Sequence, residues 1–255
     1  MKNRFIILGC GSSLGSPWIT NYWGNLKKNY KNIRTRCCAH ISINGLSILI
    51  DTSPDIKKQI IDNKIKNIDA ILYTHEHADQ TSGIFELRPF FWKNKKRIDV
   101  YANSRTVKSL HNKYTFCFFP RHGYQPIMKS HVISNLFRIK KGTREVEIRA
   151  FDVKHGLINS SGFLINKLAY ISDCSHVPRK SIKFLQGLNY LIIDCLRMKK
   201  HPSHFCLSDA LELIKKTKPR RAVLTNLHVD LDYSFLKKKL PSQIMPAYDG
   251  LKLHF

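Results

Sequence analysis

The sequence predicts an α/β fold in which two mixed sheets pack face to face with helices on the outside. Three observations carry this. The 255 residues show no Gly/Ser/Pro-rich linker and no abrupt shift in composition, so a single domain over 1–255 with a sizeable core is expected. Apolar strand-like runs alternate with helical stretches in two comparable halves. Several of the runs end on a residue able to bind a metal, as buried strands do when they deliver side chains to a rigid edge.

In order, residues 4–9, 38–43 and 46–51 read as strands. A helix follows near 54–63, where Ser53 offers a capping hydroxyl before Pro54 at the first helical position. The apolar run 68–74 reads as a buried strand, and helices near 81–92 and 104–115 flank a strand at 97–102. The second half resumes with 146–154 and a hairpin over 161–172 turning at Asn166-Lys167. Strands at 189–194 and 221–226 bracket a helix at 208–217, with Ser208 as its expected cap. The stretch 111–143 is the least regular. Its interleaved Phe116, Phe118, Phe119, Arg121, His122 and Tyr124 fit either a substrate lid or an irregular crossover with an apolar underside.

The chemistry concentrates at strand ends. The run Ile68–Tyr73 leads into Thr74-His75-Glu76-His77-Ala78-Asp79-Gln80, where two imidazoles and a carboxylate sit at alternate positions of one loop. Phe151–Lys154 leads into His155, Leu168–Ser172 into Asp173, and Ala222–Thr225 into Asn226. A metal-dependent hydrolase is the first hypothesis.

HxHxD, then His, then Asp, then a strand-end position near the C-terminus resembles the metallo-β-lactamase fold superfamily. Within it, the chain is most similar to the group named after the phosphoribosyl cyclic phosphate phosphodiesterase of phosphonate degradation. Leu8–Ser13, Leu49–Asp55, Gly83–Arg88 and His228–Tyr233 extend the likeness over nearly the whole chain. The resemblance implies an αββα sandwich. It implies a first metal on His75, His77 and His155, a bridging carboxylate at Asp173, and Asp79 on a second metal. The pattern expects histidine where Gln80 and Asn226 stand, and both departures fall on that second metal, whose site is therefore weakened. One firmly bound zinc is expected, with manganese or another divalent cation as the alternative at the second position, since amides coordinate through a neutral oxygen. His228, two residues beyond Asn226, is the only nearby substitute.

A cation on three imidazoles supplies hydroxide at neutral pH. Asp79 is then the candidate general base, and the resemblance implies that His204 contacts phosphate and protonates the leaving oxygen. Asp51 is the candidate brace for the histidine loop. Arg34, Arg36 and Arg88 are candidate phosphate contacts.

Composition bounds the partners. A formal net charge of +25, from 43 Lys and Arg against 18 Asp and Glu, attracts phosphate-bearing ligands. The basic residues form no single stripe and follow a Lys-rich composition, so nucleic acid is not the favoured partner. Seven cysteines without CxxC spacing point to reduced thiols in the cytoplasm. The N-terminal Lys2, Arg4 and Phe5–Leu8 make too short an apolar segment for secretion, and no run reaches the roughly 18 residues of a membrane span. The leading expectation is a phosphodiesterase acting on a small or cyclic sugar phosphate, with a homodimer admitted. A ribonuclease or tRNA 3′-processing nuclease is the first alternative, and a non-catalytic metal- or phosphate-binding member the second.

Overall fold

The computed structural model describes residues 3–121 and 123–255, so Lys2 and His122 lie outside the described residues. The chain runs β1 (Arg4–Gly9), β2 (Cys38–Ile43), β3 (Leu46–Ile50), α1 (Ile56–Asp62), β4 (Ala70–Leu72), α2 (Ala78–Thr81), α3 (Arg88–Asn94), β5 (Ile98–Ala102), α4 (Ser104–Lys113), α5 (Thr115–Phe118) and β6 (Met128–Val132). It continues with β7 (Leu136–Lys141), β8 (Arg144–His155), β9 (Ile158–Ile165), β10 (Leu168–Ile171), α6 (Arg179–Ile182), β11 (Tyr190–Asp194), α7 (Leu207–Thr217), β12 (Arg221–Thr225), α8 (Tyr233–Lys239), β13 (Ile244–Pro246) and β14 (Leu251–His254).

Among the described residues these strands make two seven-stranded sheets, ordered β14-β1-β2-β3-β4-β5-β6 and β13-β12-β11-β10-β9-β8-β7. Strand alternation sorts the apolar side chains into layers. Phe5, Ile7, Ile41, Ile48 and Leu72 of the first sheet face Ile148, Phe163, Tyr170, Ile192 and Val223 of the second across the central core. Ile6, Leu8, Ile71 and Val100 turn outward onto α1, α4 and α5. Ala169, Ile171, Leu191, Ile193 and Leu224 turn outward onto α7 and α8. The result is the αββα sandwich. Strands apolar on both faces, such as Ile6-Ile7-Leu8, read as continuous apolar runs because both faces are covered.

Several local expectations change. α1 begins at Ile56, and the Ser53 hydroxyl accepts the Asp55 N–H while donating to Gln59 Oε1. The expected helix at 81–92 divides into α2, a 3-10 turn at Ile84–Leu87, and α3. The cap of α7 is Cys206, whose N–H is held by Asp209 Oδ2 at 3.2 Å, and not Ser208. Within 111–143 the chain forms α5, β6 and β7. Cys117, Phe118 and Met128 are buried there, while Phe116, Phe119 and Tyr124 stay exposed.

The topology sets where the site can be. β10, β11 and β12 are parallel and in register, Ile171 beside Ile193 and Asp194 beside Thr225. Their C-terminal ends therefore bring Asp173, Asp194 and Asn226 to one edge. β3 and β4 are parallel in the facing sheet, with Ile50 beside Leu72, and the Ser161 N–H donates to the Thr74 carbonyl at 2.9 Å across the sandwich. The loops after β3, β4, β8, β10, β11 and β12 meet there.

Candidate metal centre

His75, His77 and His155 present three ring nitrogens within 4.8 Å of one another. Two of the three rings are tied down on their opposite sides. The buried Asp51 carboxylate accepts the Thr74 N–H at 2.9 Å and the Thr74 hydroxyl at 2.9 Å to one oxygen and 3.1 Å to the other. With its proton committed to Asp51, Thr74 Oγ1 accepts from His75 Nδ1 at 3.0 Å. That tautomer leaves a lone pair on His75 Nε2, which is buried with no partner. His155 Nδ1 donates to the Ser203 carbonyl at 2.7 Å, so His155 Nε2 also keeps its lone pair. It faces His77 Nδ1 at 3.3 Å. Two lone pairs at that separation repel unless a proton or a cation lies between them. Tetrahedral zinc with Zn–N bonds of about 2.0–2.1 Å spans nitrogens about 3.3 Å apart, the separation of this pair, and the third imidazole lies within reach of the same point.

Electrostatics favour neutral imidazoles. Burial lowers His75 to about 4, despite Asp173, and lowers His77 as well, with the His155 ring adding to it.

Asp173, His204 and His155 form a second group of the same kind, so His204 lies within ligand distance of Asp173 and of one triad member. Its Nδ1 donates to Asp194 Oδ2 at 2.8 Å and stands 3.9 Å from Asp173 Oδ1. Burial works against its charge, but Asp194, then Asp173 and Asp79, outweigh that and raise His204 to about 9. Burial raises Asp194 to about 6, against the pull of His204. For Asp173, burial is outweighed by His75, His204 and His155, and the carboxyl sits below its usual range. Asp79 belongs to neither group. Burial, then the Asp173 charge, raises it to about 6, and its Oδ2 accepts from Gln80 Nε2 at 3.3 Å.

Gln80 and Asn226 are both buried at this edge. The Asn226 amide nitrogen is 3.3 Å from Asp173 Oδ1, 3.2 Å from Asp194 Oδ1, 3.1 Å from the Ser172 carbonyl and 3.1 Å from His204 Nδ1. Gln80 Nε2 reaches Asp173 Oδ2 at 3.3 Å. The chain turns at Asn226, where φ is +62°, so β12 does not continue in register to His228. His228 instead bonds Asp230 Oδ1 at 3.0 Å and packs beside Trp18.

The arginines serve the scaffold. Arg34 is 2% exposed and donates to the carbonyls of His228 and Leu231 and to Asn32 Oδ1, while Arg36 pairs with Asp55 at 3.0 Å. The Arg88 guanidinium stacks between Phe85 and Trp92. Arg34, buried and committed to its acceptors, is not free to contact phosphate, which corrects that expectation for Arg34. Sequence reasoning missed Asp194, although Leu191-Ile192-Ile193-Asp194 carries the same signal of an apolar strand closing on an acid.

A cleft of about 460 Å³ opens beside His204, bordered by Lys200, His201, Asp209, Glu212 and Lys216. Among the described residues no helix is long and apolar enough to cross a membrane.

A family model for the "Beta-lactamase superfamily domain" matches residues 47–226. The chain is 30% identical over 260 residues to an octanoyltransferase of Porphyromonas gingivalis strain W83, covering 98% of this chain and 51% of that protein, so it spans about half the length of this curated relative. Among solved structures it is similar to a diphosphatase from the PhnP family, with 30% identity, a TM-score of 0.90, and coverage of 100% of this chain and 98% of the other. It shares its fold with zinc-bound PqqB from Methylobacterium extorquens, at 18% identity and a TM-score of 0.81, with 99% of this chain and 100% of the other covered. The matched span includes the histidine loop, His155, Asp173 and Asn226 on one edge of an αββα sandwich, and the chain therefore belongs to the metallo-β-lactamase superfamily of hydrolases.

Proposed function

We propose that the protein hydrolyses a small phosphodiester or diphosphate, with a divalent cation, zinc by the nitrogen-rich donor set, held by His75, His77 and His155 beside Asp173. The observation that carries this is the convergence of three imidazoles, two of them tied through their outer nitrogens, around a His75 Nε2 that is buried without a partner among the described residues. When bound, such a cation lowers the pKa of water from 15.7 towards about 7 and polarises a phosphoryl oxygen.

The remaining work belongs to the chain. Asp79, raised to about 6, is ionised at neutral pH yet basic enough to take a proton from the attacking water. His204, kept protonated by Asp194 on its Nδ1 side, offers Nε2–H to a phosphoryl or leaving oxygen. The cleft beside His204 has the size of a small-ligand site. The diphosphatase named in a solved structure 30% identical to this chain supports the same class. Free, buried cysteines support a reducing, cytoplasmic setting.

The test is hydrolysis of bis(p-nitrophenyl) phosphate against its monoester, an octanoyl thioester and RNA, with metal content measured in parallel. Diester turnover that falls with metal removal and returns with zinc is expected, with little on the monoester. A thioester rate equal to or above the diester rate overturns this reading in favour of acyl hydrolysis. Site-defined RNA cleavage at low salt overturns it in favour of a nuclease.

A further inference from the structure

We propose that the position beside the triad, where the fold family places a second cation, is filled in this chain by two amide donors, and that Gln80 and Asn226 position Asp173 for a single metal. The proposal rests on the triad holding that metal.

The donor chemistry at this position does not fit a cation. Asn226 Nδ2 faces three acceptors, the Ser172 carbonyl, Asp173 Oδ1 and Asp194 Oδ1. The opposite orientation of the amide would set Asn226 Oδ1 against these three oxygens, with only His204 Nδ1–H, 3.1 Å away and already donated to Asp194, to offer it a proton. The Ser172 carbonyl is a backbone group that no metal would remove, so it fixes the nitrogen towards Asp173 whatever else binds. Residue 226 therefore presents N–H where a ligand would present a lone pair.

Gln80 repeats the arrangement from the facing sheet. Its Nε2 lies 3.3 Å from both Asp79 Oδ2 and Asp173 Oδ2. Its backbone is held as well, because the Gln80 carbonyl accepts the Thr52 N–H at 2.8 Å. Asp173 is thus gripped on both oxygens, Oδ1 by Asn226 and Oδ2 by Gln80, each amide anchored on a different sheet. A carboxylate bridging two metals turns one oxygen to each. Here each oxygen already has an N–H donor, so the carboxylate is oriented without a second cation.

The experiment equilibrates the full-length protein with excess zinc, removes unbound metal by gel filtration, and counts zinc per chain by mass spectrometry. Manganese-loaded samples examined by electron paramagnetic resonance report whether two ions lie close enough to couple. We expect one zinc and no coupled pair in wild type and in each of Gln80→His and Asn226→His, and two ions with a coupled signal in the double variant. Two zinc ions in wild type, or one in a folded double variant, overturn the proposal. No zinc in wild type overturns the triad reading, and the proposal with it.

Gln80→Glu gives an independent readout should the double variant fail to fold. It removes the donor and sets a third carboxylate against Asp79 and Asp173. Its metal-free melting temperature should fall below wild type and rise with added manganese by more than wild type rises. Equal melting temperatures for both proteins, with and without manganese, overturn the donor role of Gln80.

Discussion

Two corners of the same sheet edge differ in the polarity they present. At the His75–His77–His155 corner, outer nitrogens are engaged by Thr74 and by the Ser203 carbonyl, and lone pairs point inward. At the Gln80–Asn226 corner, N–H groups point inward at carboxylates. The first lacks positive charge, whereas at the second both Asp173 oxygens already meet N–H donors, although Gln80 Oε1 is buried without a partner among the described residues. Asp173 touches both corners, so one carboxylate joins a metal position to a hydrogen-bonded one. Residue type at a strand end does not alone tell whether a cation is needed. The direction in which the neighbouring carbonyls force the side chain decides it.

The largest effect on this contrast should come from His77→Ala. It removes one of three lone pairs, so bound metal and the heat stability that the metal confers should both be lost, as read by metal analysis and calorimetry. Wild-type metal content in that variant would show that the triad is not the metal position. The matching change at the other corner, Asn226→Ala, should leave metal bound and lower turnover, since it frees one Asp173 oxygen.

Acid titration sharpens the comparison by subtraction. His40, buried on β2 against Ser47, is lowered by burial, then by Arg4, from 6.5 to about 4. The unfolded chain binds its proton first, so stability is present above pH 6.5 and falls as pH drops towards 4. The loss is about 3 kcal/mol over that window. His40→Gln should flatten this part of the curve, and the slope that remains belongs to His75 together with the other groups shifted into this range, Asp79, Asp194 and Asp249. If the variant keeps the full slope, His40 is not neutral in the fold.

Thr74→Val tests the brace with a smaller change. It preserves shape but breaks the link from Asp51 to His75 Nδ1, and should weaken metal binding about 10–100-fold without unfolding the chain. Competition with a chromogenic chelator measures it. Gly83→Ala should lower stability by about 1–3 kcal/mol, because a Cβ there would lie 2.1 Å from the Ser53 carbonyl oxygen and push on the loop that carries Gln80. Urea unfolding reads that change.

How much could be read in advance follows from where the information lies. β1, β4, β10, β11 and β12 were legible because they are apolar on both faces and end abruptly on polar residues. β6 and β7 were not. Met128-Lys129-Ser130-His131-Val132 and Leu136–Lys141 lie at sheet edges, half solvated and rich in lysine, as edge strands are when they resist pairing with other chains. β13 contains Pro246, and β14 has only four residues. The triad and Asp51 were legible as candidates because each lies at or just after the end of a recognisable strand. The bond from Asp194 to His204, ten residues on, and the grip of Asn226 on Asp173, 53 residues away, depend on how loops close over the strand ends, which strand patterns do not encode.

Asn226 and Asp51 both turn the chain at positive φ, +62° and +64°. Asparagine, aspartate and histidine are the non-glycine residues that enter this conformation most readily. Position 226 is therefore a backbone socket that accepts an amide or an imidazole without rebuilding the loop. One or two nucleotide changes could move a lineage between the two side chains while the scaffold stayed intact. The number of metals can drift over evolutionary time faster than the fold that holds them.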